Sequence, residues 1–236
     1  MNVDQKIERS KSKERIKFSE IGCINKTDEL VKIESSDRIT VEPVWTLKDD
    51  FEGGMYADYI TEHPEYDGIY VRTELAKRLT QAANSLDKKY KLVVRAGHRP
   101  LEVQKRLLKE CMQDYKDEHP SVSNAEALEH ARTFVSDPDI SFPPHCCAAA
   151  IDVDVLDVDK NELVDFGSPM NLDDDISYLH YDKITPEQRQ NRLLLLATML
   201  DAGFASTPFE WWHFSYGDQV WAWFYKEKDS LYGLIS

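Results

Sequence analysis

The sequence predicts an α+β fold, with a mostly antiparallel central sheet flanked by helices, on three observations. Segments of helical and of strand periodicity alternate along the chain. The short strand-like segments lack the regular βαβ spacing that a parallel sheet requires. Hydrophobic residues make up 42% and aromatic residues 11% of 236 positions, enough apolar surface for one domain-sized core. The expected organisation is a charged, loosely ordered N-terminal arm over residues 1–37 and a single domain over residues 38–236.

The punctuation becomes clear from Ile69 onward. Thr73 is placed to cap a helix whose Leu75, Leu79, Ala82, Ala83 and Leu86 share one face. Lys91-Leu92-Val93-Val94 reads as a short buried strand that ends in the turn Ala96-Gly97-His98-Arg99. Pro100 suits the first position of the next helix, where Val103, Leu107, Leu108, Cys111 and Tyr115 recur at helical spacing. Ser123 with Glu126 forms a capping box ahead of a helix running to about Val135.

Ala149 to Val155 alternates as a strand, with Ile151, Val153 and Val155 on one face and Asp152 and Asp154 on the other. Thr185 and Gln188 make a second capping box, with Pro186 at the first helical position. Leu193, Leu194, Ala197 and Leu200 are the expected apolar face, and Gly203 is placed to end the helix. The aromatic-rich stretch from Phe204 to Phe224 is expected to hold two more strands.

Charge narrows the function classes. The formal net charge is −14, from 43 acidic and 29 basic side chains. Such a field repels phosphate backbones and anionic lipid, so neither nucleic acid nor a membrane surface is an expected partner. No apolar run approaches the roughly 20 residues needed to cross a bilayer. The N-terminus lacks the apolar segment of a secretory signal, and a cytoplasmic location is the expectation. Cys23, Cys111, Cys146 and Cys147 are too few for a disulfide scaffold at this length and read as thiols.

Three positions stand out as candidate metal ligands. His145 follows the rigid Phe142-Pro143-Pro144, Asp152 lies seven residues later, and His213 sits in Glu210-Trp211-Trp212-His213-Phe214. Seven is an odd offset, so one regular strand would point His145 and Asp152 to opposite faces. A shared ion therefore requires a turn or bulge between them, which the small residues Ala148, Ala149 and Ala150 permit. Zinc binds neutral imidazole and carboxylate, and a hydrolytic site keeps a fourth position open for water. A carboxylate outside the ligand set, such as Glu210, can move the water's proton. A cation can hold the developing oxyanion; Arg99 is the candidate and Arg95 its competitor.

These residues carry a resemblance. His145-Cys146-Cys147-Ala148-Ala149-Ala150-Ile151-Asp152 resembles the H-x-x-G-x-A-x-D metal motif of the zinc D-Ala-D-Ala dipeptidases, the VanX-like group of the D,D-peptidase/hedgehog fold. Glu210-Trp211-Trp212-His213-Phe214 resembles that family's E-W-W-H-F, and Gly97-His98-Arg99-Pro100 its G-Y-R-P. The resemblance spans about Ile69 to Tyr225 and extends to Asn191-Arg192-Leu193-Leu194 in the last long helix. It implies one zinc ion per chain on His145, Asp152 and His213, with Glu210 as catalytic base and Arg99 stabilising the transition state. The implied activity is hydrolysis of a small D,D-dipeptide by a cell-wall-related metallopeptidase. A peptidoglycan carboxypeptidase or endopeptidase of the same fold, and a non-catalytic zinc-containing peptide-binding module, are the alternatives. Three departures bear on substrate choice: Ala148 replaces the motif glycine, Pro143 replaces a serine two positions before the first ligand, and Cys146-Cys147 replace Ser-Arg.

Two other patterns are weaker. Asp157, Asp159 and Asn161 match the start of a calcium-binding loop, but Glu162 then occupies the glycine position and Ser168 that of the bidentate glutamate. Cys146 and Cys147 flank His145, yet neighbouring residues seldom both reach one ion, so they read as packing residues. Trp211 and Trp212 read as wall and core.

Overall fold

The structure, a computed structural model, describes residues 1–14, 16–44, 51–172 and 174–235; for residues 51–56 it describes the backbone. Seven helices are described: α1 (Val3–Ser10), α2 (Phe51–Glu62), α3 (Thr73–Ser85), α4 (Leu101–Glu118), α5 (Asn124–Ala131), α6 (Pro186–Asp201) and α7 (Gln219–Tyr225). Three short strands, β1 (Gly22–Cys23), β2 (Leu30–Lys32) and β3 (Ile39–Val41), precede β4 (Tyr70–Arg72) and β5 (Tyr90–Ala96). The long β6 (Ala150–Asp157) and β7 (Glu162–Leu163) follow, then β8 (Ala205–Ser206), β9 (His213–Ser215) and β10 (Asp229–Ser230).

The main sheet runs β3-β5-β6-β9-β8, with β7 also on β6. It is mixed: β3 lies parallel to β5, whereas β5, β7 and β9 pair antiparallel with β6, and β8 antiparallel with β9. The parallel pair follows from its connection. The chain between β3 and β5 passes through α2, β4 and α3, a crossover of the kind that parallel neighbours require.

The two faces of β6 differ as its alternation predicts. Ile151, Val153 and Val155 are buried in one core with Leu92 and Val94 of β5, Phe214 of β9, and apolar residues of α3 and α6. Each such side chain contributes roughly 1.5–3 kcal/mol on burial. The opposite face carries Asp152 and Asp154. A smaller cluster joins Val44, just after β3, to Val103 and Leu107 of α4, with Tyr59 and Val135 packed against it.

Several local expectations are corrected. Thr73 does not cap α3; Arg72 holds that position, and the Thr73 hydroxyl instead donates to the Glu29 carbonyl. Pro100 is the N-cap of α4 rather than its first residue. On α6 the buried face is Arg192, Leu195, Leu196, Met199 and Leu200, while Leu193 and Leu194 are exposed. Four consecutive leucines leave the helical phase undetermined by pattern alone. Phe204–Phe224 holds the two expected strands, β8 and β9, and also the start of α7, which Asp218 caps through Trp221 N–H.

The N-terminal segment makes several contacts with the rest of the chain. Lys6 Nζ donates to the Leu200 carbonyl at the end of α6, and the Arg9 guanidinium lies 3.9 Å over the Trp223 ring. β1 pairs with β10, and β2 with β4. Lys6, Arg9 and Lys13 set their charges on a carbonyl or on ring faces, contacts that sequence periodicity does not register.

The break that the odd His145–Asp152 offset demands is present. A 3₁₀ turn over His145–Cys147 ends at Ala148, which is left-handed at φ 50°, ψ 31°. Its backbone is fully engaged: Arg72 N–H donates to the Ala148 carbonyl, Arg72 Nε to the Cys147 carbonyl, and Ala149 N–H to the Pro144 carbonyl. The left-handed region costs an L-residue about 1–2 kcal/mol and is closed to β-branched side chains. Ala148→Val should therefore destabilise the protein by about 2 kcal/mol or more in urea unfolding. Ala148→Gly should stay within about 1 kcal/mol of the parent, because relief at φ > 0 offsets the lost methyl burial and the freer unfolded chain.

Candidate metal centre

The register of β6 against β9 sets Asp152 directly opposite His213. Phe214 points into the core beside Ile151, so alternation leaves His213 and Ser215 on the same face as Asp152. The Ala148 turn then delivers His145 to that face. All three side chains are buried, Asp152 with 3% of its surface exposed.

Their donor atoms form a tight triangle. His145 Nε2 lies 3.2 Å from His213 Nδ1, His213 Nδ1 lies 3.1 Å from Asp152 Oδ1, and His145 Nε2 lies 3.3 Å from Asp152 Oδ2. Tetrahedral ligands at about 2.0–2.1 Å from a zinc ion sit about 3.3–3.4 Å apart, so these edges fit three donors of such a site. Among the described residues this is the one group of three or more His, Cys, Asp or Glu side chains with ligand atoms so placed.

The orientation of His145 is set from behind. Its Nδ1 lies 2.7 Å from the Gly97 carbonyl, which can only accept, so Nδ1 carries the proton and Nε2 presents its lone pair to the triangle. Gly97 has to be glycine at this point. A Cβ there would meet Ile69 Cγ2 at 2.7 Å and the Tyr70 carbonyl at 2.8 Å. The neighbouring turn is fastened on both sides, with His98 N–H on the Tyr70 carbonyl and Arg99 N–H on the His145 carbonyl.

Electrostatics follow from this packing. Burial alone would raise the Asp152 carboxyl, but the His145 and His213 imidazoles overcome it and hold it well below the usual carboxylate range. Burial would lower His213, yet the hydrogen bond and charge of Asp152, with Glu210 and Asp218 behind them, lift it to about 9. Metal-free, this is a buried carboxylate neutralised by a protonated imidazole.

Glu210 lies beside the triangle, and Arg99 is tied by its backbone to the His145 carbonyl. Glu210 Oε2 is 3.8 Å from His213 Nδ1, and its side chain is 36% exposed, so it meets both the donors and solvent. Arg99 is buried on the His145 side, its Nη1 donating to Gln104 Oε1 at 2.8 Å. Arg95, the competing cation, is committed elsewhere, with Nη1 2.7 Å from Glu42 and Nη2 3.9 Å from Asp154. Burial pushes the Asp154 carboxyl up to about 6, against the pull of Val155 N–H and Arg95.

A cavity of about 420 Å³ is lined by Asp154, Phe166, Ser168, Met170 and Trp211 among others; it reaches the site's strand face at Asp154, and none of the three donors, Glu210 or Arg99 lines it. Trp211 joins cavity and core: it stacks on Phe166 at 4.2 Å, and its Nε1 donates to Ser168. Arg192, missed by the sequence reading as a functional support, is fully buried and donates to the carbonyls of Phe166, Ile176 and Tyr178. It thereby clamps the segment that forms the cavity wall. A basic residue within a leucine-rich helix is the signal that could have marked it.

The weaker patterns resolve differently. The Asp157–Asn161 run is the turn of the β6–β7 hairpin, where Asp157 Oδ1 accepts from the N–H groups of Asp159 and Lys160. Cys146 and Cys147 are buried, and burial pushes their thiols up, Cys146 to about 11, which disfavours thiolate ligation. His180 lies at the α1 interface, with Nε2 2.7 Å from Ser10 Oγ, and His98 packs near Tyr66.

Comparison with known proteins points the same way. The model of a family described as peptidase M15, D-Ala-D-Ala dipeptidase, matches residues 56–230. The D-alanyl-D-alanine dipeptidase of Synechocystis sp. is 29% identical over 220 residues, covering 80% of this chain and 85% of that protein. The D-alanyl-D-alanine dipeptidase of Enterococcus faecium is 26% identical over 177 residues, covering 72% and 82%. A solved structure of a mutant of the vancomycin resistance D,D-pentapeptidase VanY in complex with Zn(II) is 19% identical. It covers 64% of this chain and 75% of its own, at a TM-score of 0.40. With three quarters of its length matched by one family model, this chain belongs to the peptidase M15 family of D-Ala-D-Ala dipeptidases.

Proposed function

We propose that the chain hydrolyses a free D,D-dipeptide such as D-Ala-D-Ala, with one zinc ion held by His145, Asp152 and His213, Glu210 as general base and Arg99 as oxyanion partner. The observation that carries this is the donor triangle, with edges of 3.1–3.3 Å and an outlying carboxylate 3.8 Å from His213. Family membership supports it. When bound, zinc would lower the pKa of a water toward about 7 and polarise the scissile carbonyl.

The chain's own groups do the rest. Glu210, partly open to solvent, takes the proton of the attacking water and returns it to the departing amine, so the water's oxygen ends on the new carboxylate. Arg99, braced by Gln104, faces the negative charge that develops on the carbonyl oxygen. Among the described residues no helix is long and apolar enough to cross a membrane. Action in the cytoplasm belongs to the same proposal, to be decided by fractionating cells that express the protein.

Replacing Glu210 with Ala should leave zinc content at one per chain and lower turnover of D-Ala-D-Ala by about 10²–10⁴-fold. Release of free D-alanine by parent and variant, with metal analysis of both, measures this. Unchanged turnover would remove Glu210 from the base role; loss of zinc would move it into the ligand set.

Zinc binding should also expel a proton. Below about 9 the metal-free His213 is protonated, and the metal takes the neutral ring. Apparent zinc affinity should therefore rise about tenfold per pH unit from about pH 7 to 9 and level off above. Chelator competition across that range reads the slope, and calorimetry in two buffers of different ionisation enthalpy counts the proton. A flat profile would show that His213 is neutral before the metal arrives.

A further inference from the structure

His145 and His213 face the triangle with different nitrogens, Nε2 and Nδ1, and each has its other nitrogen turned outward. For His145 the outward partner is the Gly97 carbonyl, which leaves no ambiguity of tautomer. For His213 it is the Ser215 hydroxyl, 3.3 Å from Nε2, and a hydroxyl can either donate or accept. Something beyond Ser215 must decide which.

Asp218 is that group. Ser215 is fully buried, and so is Asp218, three residues on. Between them Gly217, left-handed at φ 83°, reverses the chain, with its carbonyl accepting from the Leu231 and Tyr232 N–H groups. The two Asp218 oxygens are used differently. Oδ1 caps α7 by accepting from Trp221 N–H at 2.8 Å. Oδ2 is buried without a partner within hydrogen-bond geometry. Burial raises the Asp218 carboxyl above its ordinary range; the Ser215 hydroxyl, the Trp221 and Val220 N–H groups and the His213 ring pull the other way, each favouring the charged form. A buried carboxylate oxygen left unpaired is costly, and the Ser215 hydroxyl is the donor beside it.

We propose that Ser215 and Asp218 form a one-way relay that positions His213. The His213 Nε2–H donates to Ser215 Oγ, and the Ser215 hydroxyl proton is donated to Asp218 Oδ2. Asp218 can only accept when ionised, so the polarity of the chain is fixed from its far end. Fixing Nε2–H leaves the Nδ1 lone pair free for the ion, as Gly97 does for His145 by a different means. Ser215 and Asp218 touch neither substrate nor metal; they are positioning residues. This rests on the reading of His213 as a ligand.

The relay is tested by zinc affinity in chelator competition, with unfolding of the metal-free protein followed alongside. Ser215→Ala should weaken zinc binding by about 10–100-fold. It also strips Asp218 Oδ2 of its donor and so lowers the metal-free unfolding midpoint, whereas Ser215→Thr keeps the hydroxyl and should retain the parent's zinc affinity. Asp218→Asn keeps an acceptor for Trp221 N–H but turns an amide donor toward Ser215. The hydroxyl proton is then driven onto His213 Nε2, which places the ring proton on Nδ1, where the ion must bind. Asp218→Asn should therefore weaken zinc more than Ser215→Ala does. In the zinc-loaded parent, NMR should show a slowly exchanging Nε2–H on His213 that is lost or exchanges faster in Ser215→Ala.

Zinc affinity of Ser215→Ala within about twofold of the parent would overturn the relay. So would an Asp218→Asn effect smaller than that of Ser215→Ala. His213→Ala separates this from the underlying site: if that variant keeps full zinc affinity, the ligand assignment itself fails, whatever Ser215 does.

Discussion

The site depends on one backbone constraint, the left-handed residue that ends the His145 turn. β6 carries Asp152 on the face away from the core, and its pairing with β9 sets His213 opposite. His145 lies seven residues before Asp152, and a continued strand would place it in the core. The αR-to-αL reversal at Ala148 removes that conflict within four residues. Arg72 holds the reversal in place from β4 by taking the carbonyls of both Cys147 and Ala148. Displacement of this turn would separate the donors while leaving the sheet largely intact.

Such a turn is tolerable because its polar groups are matched without water. The same economy recurs around the site: Gly97 serves the His145 ring, Gln104 the Arg99 guanidinium, and three carbonyls the buried Arg192. Each is a charged or polar group whose burial would otherwise cost several kcal/mol. In return, the donors of the triangle have little freedom to rotate away. Glu210 stands apart from this rigid frame, with its side chain 36% exposed.

Much of this was legible in the chain. The alternation of Ile151, Val153 and Val155 placed Asp152 off the core face, the Ser123 and Thr185 capping boxes placed two helix starts, and the odd ligand offset demanded a turn near Ala148. Other features were hidden for physical reasons. The leucine run of α6 fits more than one helical phase, so its buried face could not be chosen before the sheet was in place. The contacts of the charged N-terminal segment are long-range, as in Lys6 to Leu200 and β1 to β10, and leave no local pattern. The parallel β3–β5 edge escaped because strand direction depends on which distant segments pair.

The sequence by itself singled out the candidates for the chemistry: two histidines, an aspartate, a glutamate and an arginine in three separated motifs. It also determined that His145 and Asp152 could meet only across a turn. Tertiary structure alone decided the rest, namely that His213 offers Nδ1 and His145 Nε2, that Arg95 is taken by Glu42 and Asp154, and that Ser215 and Asp218 stand behind the ring. The reason is that ligand type is a property of a side chain. Which nitrogen faces inward, and which neighbour a cation finds, are properties of strand register and of chain returns that no local pattern encodes.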